Sequence, residues 1–145
     1  PHLIQPYENI IEALGTLQAQ EAIFLIKPFI EHPSEKVQYA AARSLYQLTG
    51  EAVYGEYLTE ALGGDNLHLR RSALLDLAAI GYLPAAKAIS ETLAENSMKL
   101  IALKGLLEYH LTINSKVKTQ ESKVESQLLL SDEAIEVMSL MDSLL

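Results

Sequence analysis

Four histidines, nineteen carboxylates, eleven Lys and Arg residues and no cysteine are the side chains from which this chain could build chemistry. His2, His32, His68 and His110 are scattered, and no two share a helix face at the spacing a zinc ion needs, so structural histidines are the better reading and no metal site is expected. Without cysteine there is no thiolate ligand, disulfide or thiol nucleophile in this stretch. Leu62-Gly-Gly-Asp-Asn66 could be imagined as a phosphate loop ahead of a helix. It lacks the Gly-Lys-Ser/Thr ending, and a turn between helices explains both glycines. Serine, histidine and aspartate are present, but nothing in their spacing places them together.

A different set stands out on a helical wheel. With Val37 at the buried centre and 100° per residue, Tyr39, Arg43 and Tyr46 gather on the opposite side. The same positions hold Glu8, Glu12 and Gly15 before them, and Arg71, Leu75 and Ala78 after them, with Arg70 at the margin. Further on they hold Leu100, Lys104 and Leu107. Tyrosines, apolar residues and isolated cations on one surface suit a flat apolar ligand carrying carboxylates, or a partner protein. The competing reading is a half-solvated face whose Arg and Tyr pack over their own elements.

The elements that would position these residues repeat along the chain. Ser34 to Gly50 is the unit. Val37, Ala41, Leu45 and Leu48 form an apolar stripe, Ser34 is a candidate N-cap, and Gly50 supplies the left-handed closing residue. Ala40, Ala41 and Ala42 are small enough for neighbours on more than one side, as the middle of a stack requires. The stripe recurs at Leu69, Ala73, Leu77 and Ile80, then at Met98, Ala102, Leu106 and Tyr109, and earlier with Ile10, Leu14 and Leu17. A second series joins Ile26, Leu58 and Ile89, followed by Ile30, Leu62 and Leu93. Two helices in about 30 residues is the pattern of an α-solenoid of short HEAT-like repeats. The expected fold is all-α: a right-handed superhelix of helix pairs with Leu45 and Leu77 between its two layers.

Inner helices are expected at 6–17 and 34–49, then a third capped by Asp65 or Asn66 and running to Ile80, and a fourth capped by Asn96 or Ser97 and running to about Leu111. Outer helices are expected at 20–32, bent at Pro28, and at 51–62 and 84–94. Residues 1–111 thus form the repeats, 112–130 a polar, flexible connector, and 131–145 a terminal helix capped by Ser131. Ile135, Val137, Met138, Leu140, Met141 and Leu144 would dock that helix over the open end of the last repeat. The net charge of −8 argues against sequence-independent nucleic-acid binding. No apolar run approaches the roughly 18 residues of a membrane span, and no signal peptide is visible; a cytoplasmic protein is expected. The first repeat starts without a polar capping helix, and Pro1-His-Leu-Ile lacks an initiator methionine. The chain therefore reads as the carboxy-terminal part of a longer solenoid that associates through the uncovered flank of its first repeat.

Several stretches carry a more specific likeness. Gln5-Pro-Tyr-Glu-Asn-Ile-Ile-Glu-Ala-Leu-Gly-Thr-Leu-Gln18, Lys36-Val-Gln-Tyr-Ala-Ala-Ala-Arg43, Leu69-Arg-Arg-Ser-Ala73, Gly81-Tyr-Leu-Pro84 and Leu140-Met-Asp-Ser-Leu-Leu145 together resemble the E-type subunits of cyanobacterial phycobilin lyases. The likeness spans nearly the whole chain except 112–130, and those subunits carry further repeats on the amino-terminal side. It implies a heterodimer with a homologous F-type subunit that joins phycocyanobilin, bound as substrate, to a cysteine of the phycocyanin α subunit. The bond is a thioether to the ring A ethylidene, with no resident cofactor, in the service of the phycobilisome antenna. It further implies that Arg43 and Arg71 could meet the bilin propionates, with Tyr39, Tyr46, Arg70 and Lys104 in the same groove. Glu8, Glu12 or Asp76 could serve as an acid near the pyrrole nitrogens. An isomerising bilin lyase, a phycobilisome degradation factor and a non-catalytic HEAT-repeat adaptor are the alternatives.

Overall fold

The computed structural model describes residues 7–118 and 132–145, with the side chains of 113–118 excepted. Four helices form an inner row: α1 (Tyr7–Thr16), α3 (Glu35–Thr49), α5 (Leu67–Ile80) and α7 (Asn96–Lys118). Each packs against the next, α1 on α3, α3 on α5 and α5 on α7. Behind them lie shorter outer elements: α2 (Ile23–Ile26) between two 3₁₀ turns, α4 (Ala52–Ala61), and α6 (Ala86–Glu91) after a 3₁₀ turn at Leu83–Ala85. The last helix, α8 (Asp132–Ser143), lies against α6 and α7. The chain is an all-α stack of helix pairs.

The small residues of α3 let it face two neighbours at once. Ala40 and Ala41, with Val37, Leu45 and Leu48, join a first core around Ile11 and Ile26, whereas Ala42 and Tyr39 join a second around Leu58, Leu74 and Leu77. One helix therefore feeds two cores, which bulkier residues at 40–42 would prevent. Gly50 and Gly81 close α3 and α5 in the left-handed conformation, at φ 70° and 66°. Asn66 caps α5, its side chain accepting from the Leu69 N–H at 3.2 Å. Val137 and Ala134 of α8 are fully buried, Leu140, Met141 and Leu144 pack on the second core, and Asn96 donates to the Leu144 carbonyl at 3.3 Å. The terminal helix covers the last repeat as its stripe implied.

Other local expectations need correction. Ser34 makes no side-chain cap; its own N–H donates to His32 Nδ1 at 3.0 Å. The first outer helix is broken rather than bent, because Pro28 lacks an N–H and its ring crowds the preceding turn. The third outer helix ends at Glu91, not 94. Thr92 turns extended and donates its hydroxyl to the Leu62 carbonyl at 2.6 Å, which leaves Leu93 exposed rather than in the outer series. The fourth inner helix passes Leu111 and runs to Lys118, since Thr112 to Lys118 contains neither Gly nor Pro to stop it. The rest of the expected connector, Ser131 as a cap, and His2 lie outside the described residues.

Ile10 and Leu17 keep their place in the repeat but are 52% and 77% exposed. Their counterparts Ala41 and Leu48 are buried because α1 and the first outer segment stand against them. In the first repeat Ile11, one position on, is the buried residue instead.

Candidate functional site

Along the inner row, two seams between neighbouring helices contrast in chemistry. The first joins α1, α3 and α5. Arg43 of α3 donates from Nη1 to Asp76 Oδ1 of α5 at 3.3 Å and lies 3.7 Å from Glu12 Oε1 of α1. Asp76 is only 5% exposed. Burial pushes its carboxyl up to about 6; Arg43 pulls it back, and the negative charges of Glu12 and Glu8 raise it further. Beside this cluster Ser44 donates to the Ile11 carbonyl, and Gly15 lies so close to Ser44 that a Cβ would collide with it. The seam is closed.

Most of the residues expected on one open surface are spent within the fold. Tyr39, placed opposite the core by the single-helix wheel, is 7% exposed and packs edge-on against Tyr57, ring centroids 6.2 Å apart. The wheel treats α3 as having one buried side, whereas an inner helix has a neighbour on each flank. Tyr46 packs edge-on against Tyr82 at 5.4 Å, and Tyr82 donates to Glu56. Arg70 holds two carbonyls, Leu93 at 2.8 Å and Gly64 at 2.7 Å. Arg71 grips Glu95 with two nitrogens, and that contact holds the Glu95 carboxyl well below the usual range. Glu8 and Glu12 lie at the rim of the closed seam, half-buried.

The second seam, between α5 and α7, is open. A groove of about 690 Å³ runs along it, with Leu75, Ala78 and Ala79 on one wall and Ile101, Lys104, Gly105, Glu108 and Tyr109 on the other. All come from inner helices, so it faces away from the outer layer. Its floor is narrow because Gly105 meets Ala78: a Cβ on Gly105 would lie 2.8 Å from the Ala78 Cβ. Leu75 and Ile101 are 50% and 59% exposed. Lys104 Nζ stands 3.7 Å from Glu108 Oε1, both side chains largely in solvent.

Lys104 is thus the one expected cation that lines this groove, together with Leu75 and Ala78 from the same wheel positions. Ile101, Gly105 and Glu108 have no part in the sequence reading, and Tyr109, expected in the apolar stripe, is instead 39% exposed at the groove. The available signals were the Lys104–Glu108 spacing of four and a glycine at the repeat position where the previous inner helix carries Asp76. Among the described residues no group of three His, Cys, Asp or Glu side chains could hold a metal, and no helix is long and apolar enough to cross a membrane.

A family model for HEAT repeats matches residues 7–79. The phycocyanobilin lyase subunits alpha of Nostoc sp. PCC 7120 and Synechocystis sp. PCC 6803 are each 58% identical over the whole of this chain. It covers 49% and 50% of them respectively, so the chain spans about half the length of these curated relatives. The bilin biosynthesis protein PecE of the same Nostoc strain is 48% identical over 77% of the chain. The solved complex of CpcE and CpcF of phycocyanin lyase from Nostoc sp. PCC7120 matches all of this chain with a TM-score of 0.82 at 57% identity, over 48% of the matched chain.

Proposed function

The chain belongs to the HEAT-repeat family, and from that premise we propose that it is part of the alpha, or E-type, subunit of a phycocyanobilin lyase. The observation that carries this reading is identity of 58% along the full chain to subunits of that name. The match to a chain of a CpcE–CpcF complex supports an F-type subunit as its partner. The substrates in this reading are phycocyanobilin and the phycocyanin α subunit, in the cytoplasm of a cyanobacterium assembling its phycobilisome antenna for photosynthesis.

The reaction adds a cysteine thiol of phycocyanin α across the ring A ethylidene: sulfur bonds to carbon, the thiol proton ends on the pyrrole system, and nothing leaves. This chain has no cysteine to compete for the bilin. Its contribution is positioning, holding acceptor and thiol in attack geometry so that a bimolecular addition behaves as an intramolecular one. The closed seam gives the inner row rigidity for that task.

Incubation of the chain with an F-type subunit, phycocyanobilin and apo-phycocyanin α tests the reading. A cysteine-containing peptide of phycocyanin α that gains the mass of one bilin supports it. Bilin left entirely free overturns it in favour of a HEAT-repeat adaptor. The likeness to PecE favours a second reading, attachment with isomerisation, which would appear as a shifted absorption spectrum on the modified peptide.

A further inference from the structure

We propose that Arg43 is a change-over contact between two joints of the inner row: it holds α5 through Asp76 while that carboxyl is ionised, and passes to Glu12 of α1 when Asp76 takes up a proton. The device belongs to the stack itself and stands or falls apart from the lyase reading above.

One nitrogen is shared between the two acids. Arg43 Nη1 donates to Asp76 Oδ1 at 3.3 Å, and the same Nη1 lies 3.7 Å from Glu12 Oε1. A guanidinium given wholly to one carboxylate grips it with two nitrogens, as Arg71 does Glu95. Arg43 grips neither acid that way, and its Nε is buried without a hydrogen-bond partner. It stands between two acceptors, with donors to spare for a fuller pairing.

The two acids differ in what they need from it. The Asp76 side chain is 8% exposed and that of Glu12 is 36% exposed. An ionised Asp76 without Arg43 would be an unpaired charge in a nearly dry joint, whereas Glu12 can turn to water. Ionised Asp76 therefore keeps the cation. A neutral Asp76 attracts it far less, and Glu12, with Glu8 one turn away on α1, becomes the stronger pole. The charges acting on Asp76 are Arg43 of α3 and Glu12 and Glu8 of α1, and the Tyr39 hydroxyl of α3 feels Asp76 in turn. None comes from α4 or α7, the other helices packed on α5. Burial and the two glutamates lift the carboxyl to about 6 against the pull of Arg43, which sets the change-over near neutral pH rather than in strong acid.

Crystal structures of the chain at pH 8 and pH 5 test this, with Asp76→Asn at pH 8 as a neutral side chain of the same shape. At pH 8 the wild type is expected to keep Arg43 on Asp76. At pH 5 it should lose that contact and gain a two-nitrogen pairing with Glu12, and Asp76→Asn at pH 8 should show the same arrangement. Glu12→Gln, which removes the charge of the alternative acceptor at a half-exposed position, should leave Arg43 on Asp76 at both pH values. In solution, the Arg43 Nε–H signal in proton–nitrogen correlation spectra should move with a midpoint at about pH 6. In Asp76→Asn it should stay at the acid position throughout. Arg43 seated identically in wild type at pH 5 and pH 8, or in wild type and Asp76→Asn at pH 8, would overturn the proposal.

Discussion

The seam between α3 and α5 and the seam between α5 and α7 are the same place in successive repeats. Counted from Val37, Leu69 and Met98, the sixth residue on is Arg43, Leu75 and Lys104, and the seventh is Ser44, Asp76 and Gly105. In the first seam the arginine reaches Asp76 and closes the space between helices. In the second, leucine stands where the arginine was and glycine where the aspartate was, and a groove opens over the glycine. The backbone arrangement is shared; two substitutions turn a sealed joint into a cleft. A solenoid can hold a sealed joint and an open cleft in adjacent repeats because each depends only on its neighbours.

The largest test of this contrast removes the side chain at the shared position. Arg43→Ala leaves Asp76 buried without its cation and should cost about 3–5 kcal/mol in urea melts at pH 7.5, the range for orphaning a buried charge. Leu75→Ala at the equivalent place should cost under about 1 kcal/mol, because half of that side chain is already in solvent. Equal losses would break the comparison.

Acid should distinguish the closed seam next. Asp76 titrates at about 6 in the folded protein, whereas an unfolded aspartate titrates at about 3.9. The native state therefore holds a proton that the unfolded chain releases between these values. The stability this group contributes is full below about pH 4 and lost as pH rises through 6, on the order of 2–3 kcal/mol. Urea melts from pH 4.5 to 7.5 should show that loss in wild type and a flatter profile in Asp76→Asn. Identical slopes would mean that Asp76 is not the titrating group.

The floor of the open seam gives a smaller effect. Gly105→Val forces bulk against Ala78, where even a Cβ would sit at 2.8 Å, and should cost about 1–3 kcal/mol by overpacking. Gly63→Ala, whose Cβ would meet nothing nearer than the Glu60 carbonyl at 3.6 Å, should stay within about 0.5 kcal/mol in the same denaturant melts. A Gly105→Val protein as stable as wild type would mean that the two helices have room to part.

What was legible in the sequence was what is decided locally. The stripes of α3 and α5, the glycines that end them and the Asn66 cap depend on residues a few positions apart, and they stand where spacing placed them. The outer elements were less legible. Their lengths turn on Pro28 and on Thr92 reaching a carbonyl thirty residues away. The site was legible as a set of repeat positions but not as a surface. Arg43 finds Asp76 across 33 residues, and Tyr39 is buried by a second neighbour that a wheel drawn for one helix leaves out. Ile10 and Leu17 show the same limit in reverse: the pattern is right, and their exposure follows from what stands beside them.

The central claim is that the chain is part of a bilin lyase whose inner row is held rigid by the closed seam. Its most direct measurement is the initial rate of covalent bilin attachment to apo-phycocyanin α by the chain assembled with an F-type subunit. Arg43→Lys in the seam would be compared with wild type at equal bilin concentration below saturation. The lysine keeps a cation beside Asp76, so Arg43→Lys should attach bilin within about twofold of wild type. Bilin left entirely free by the wild-type assembly would contradict the account, and so would a slow Arg43→Lys protein, which would return the ligand to the arginine seam.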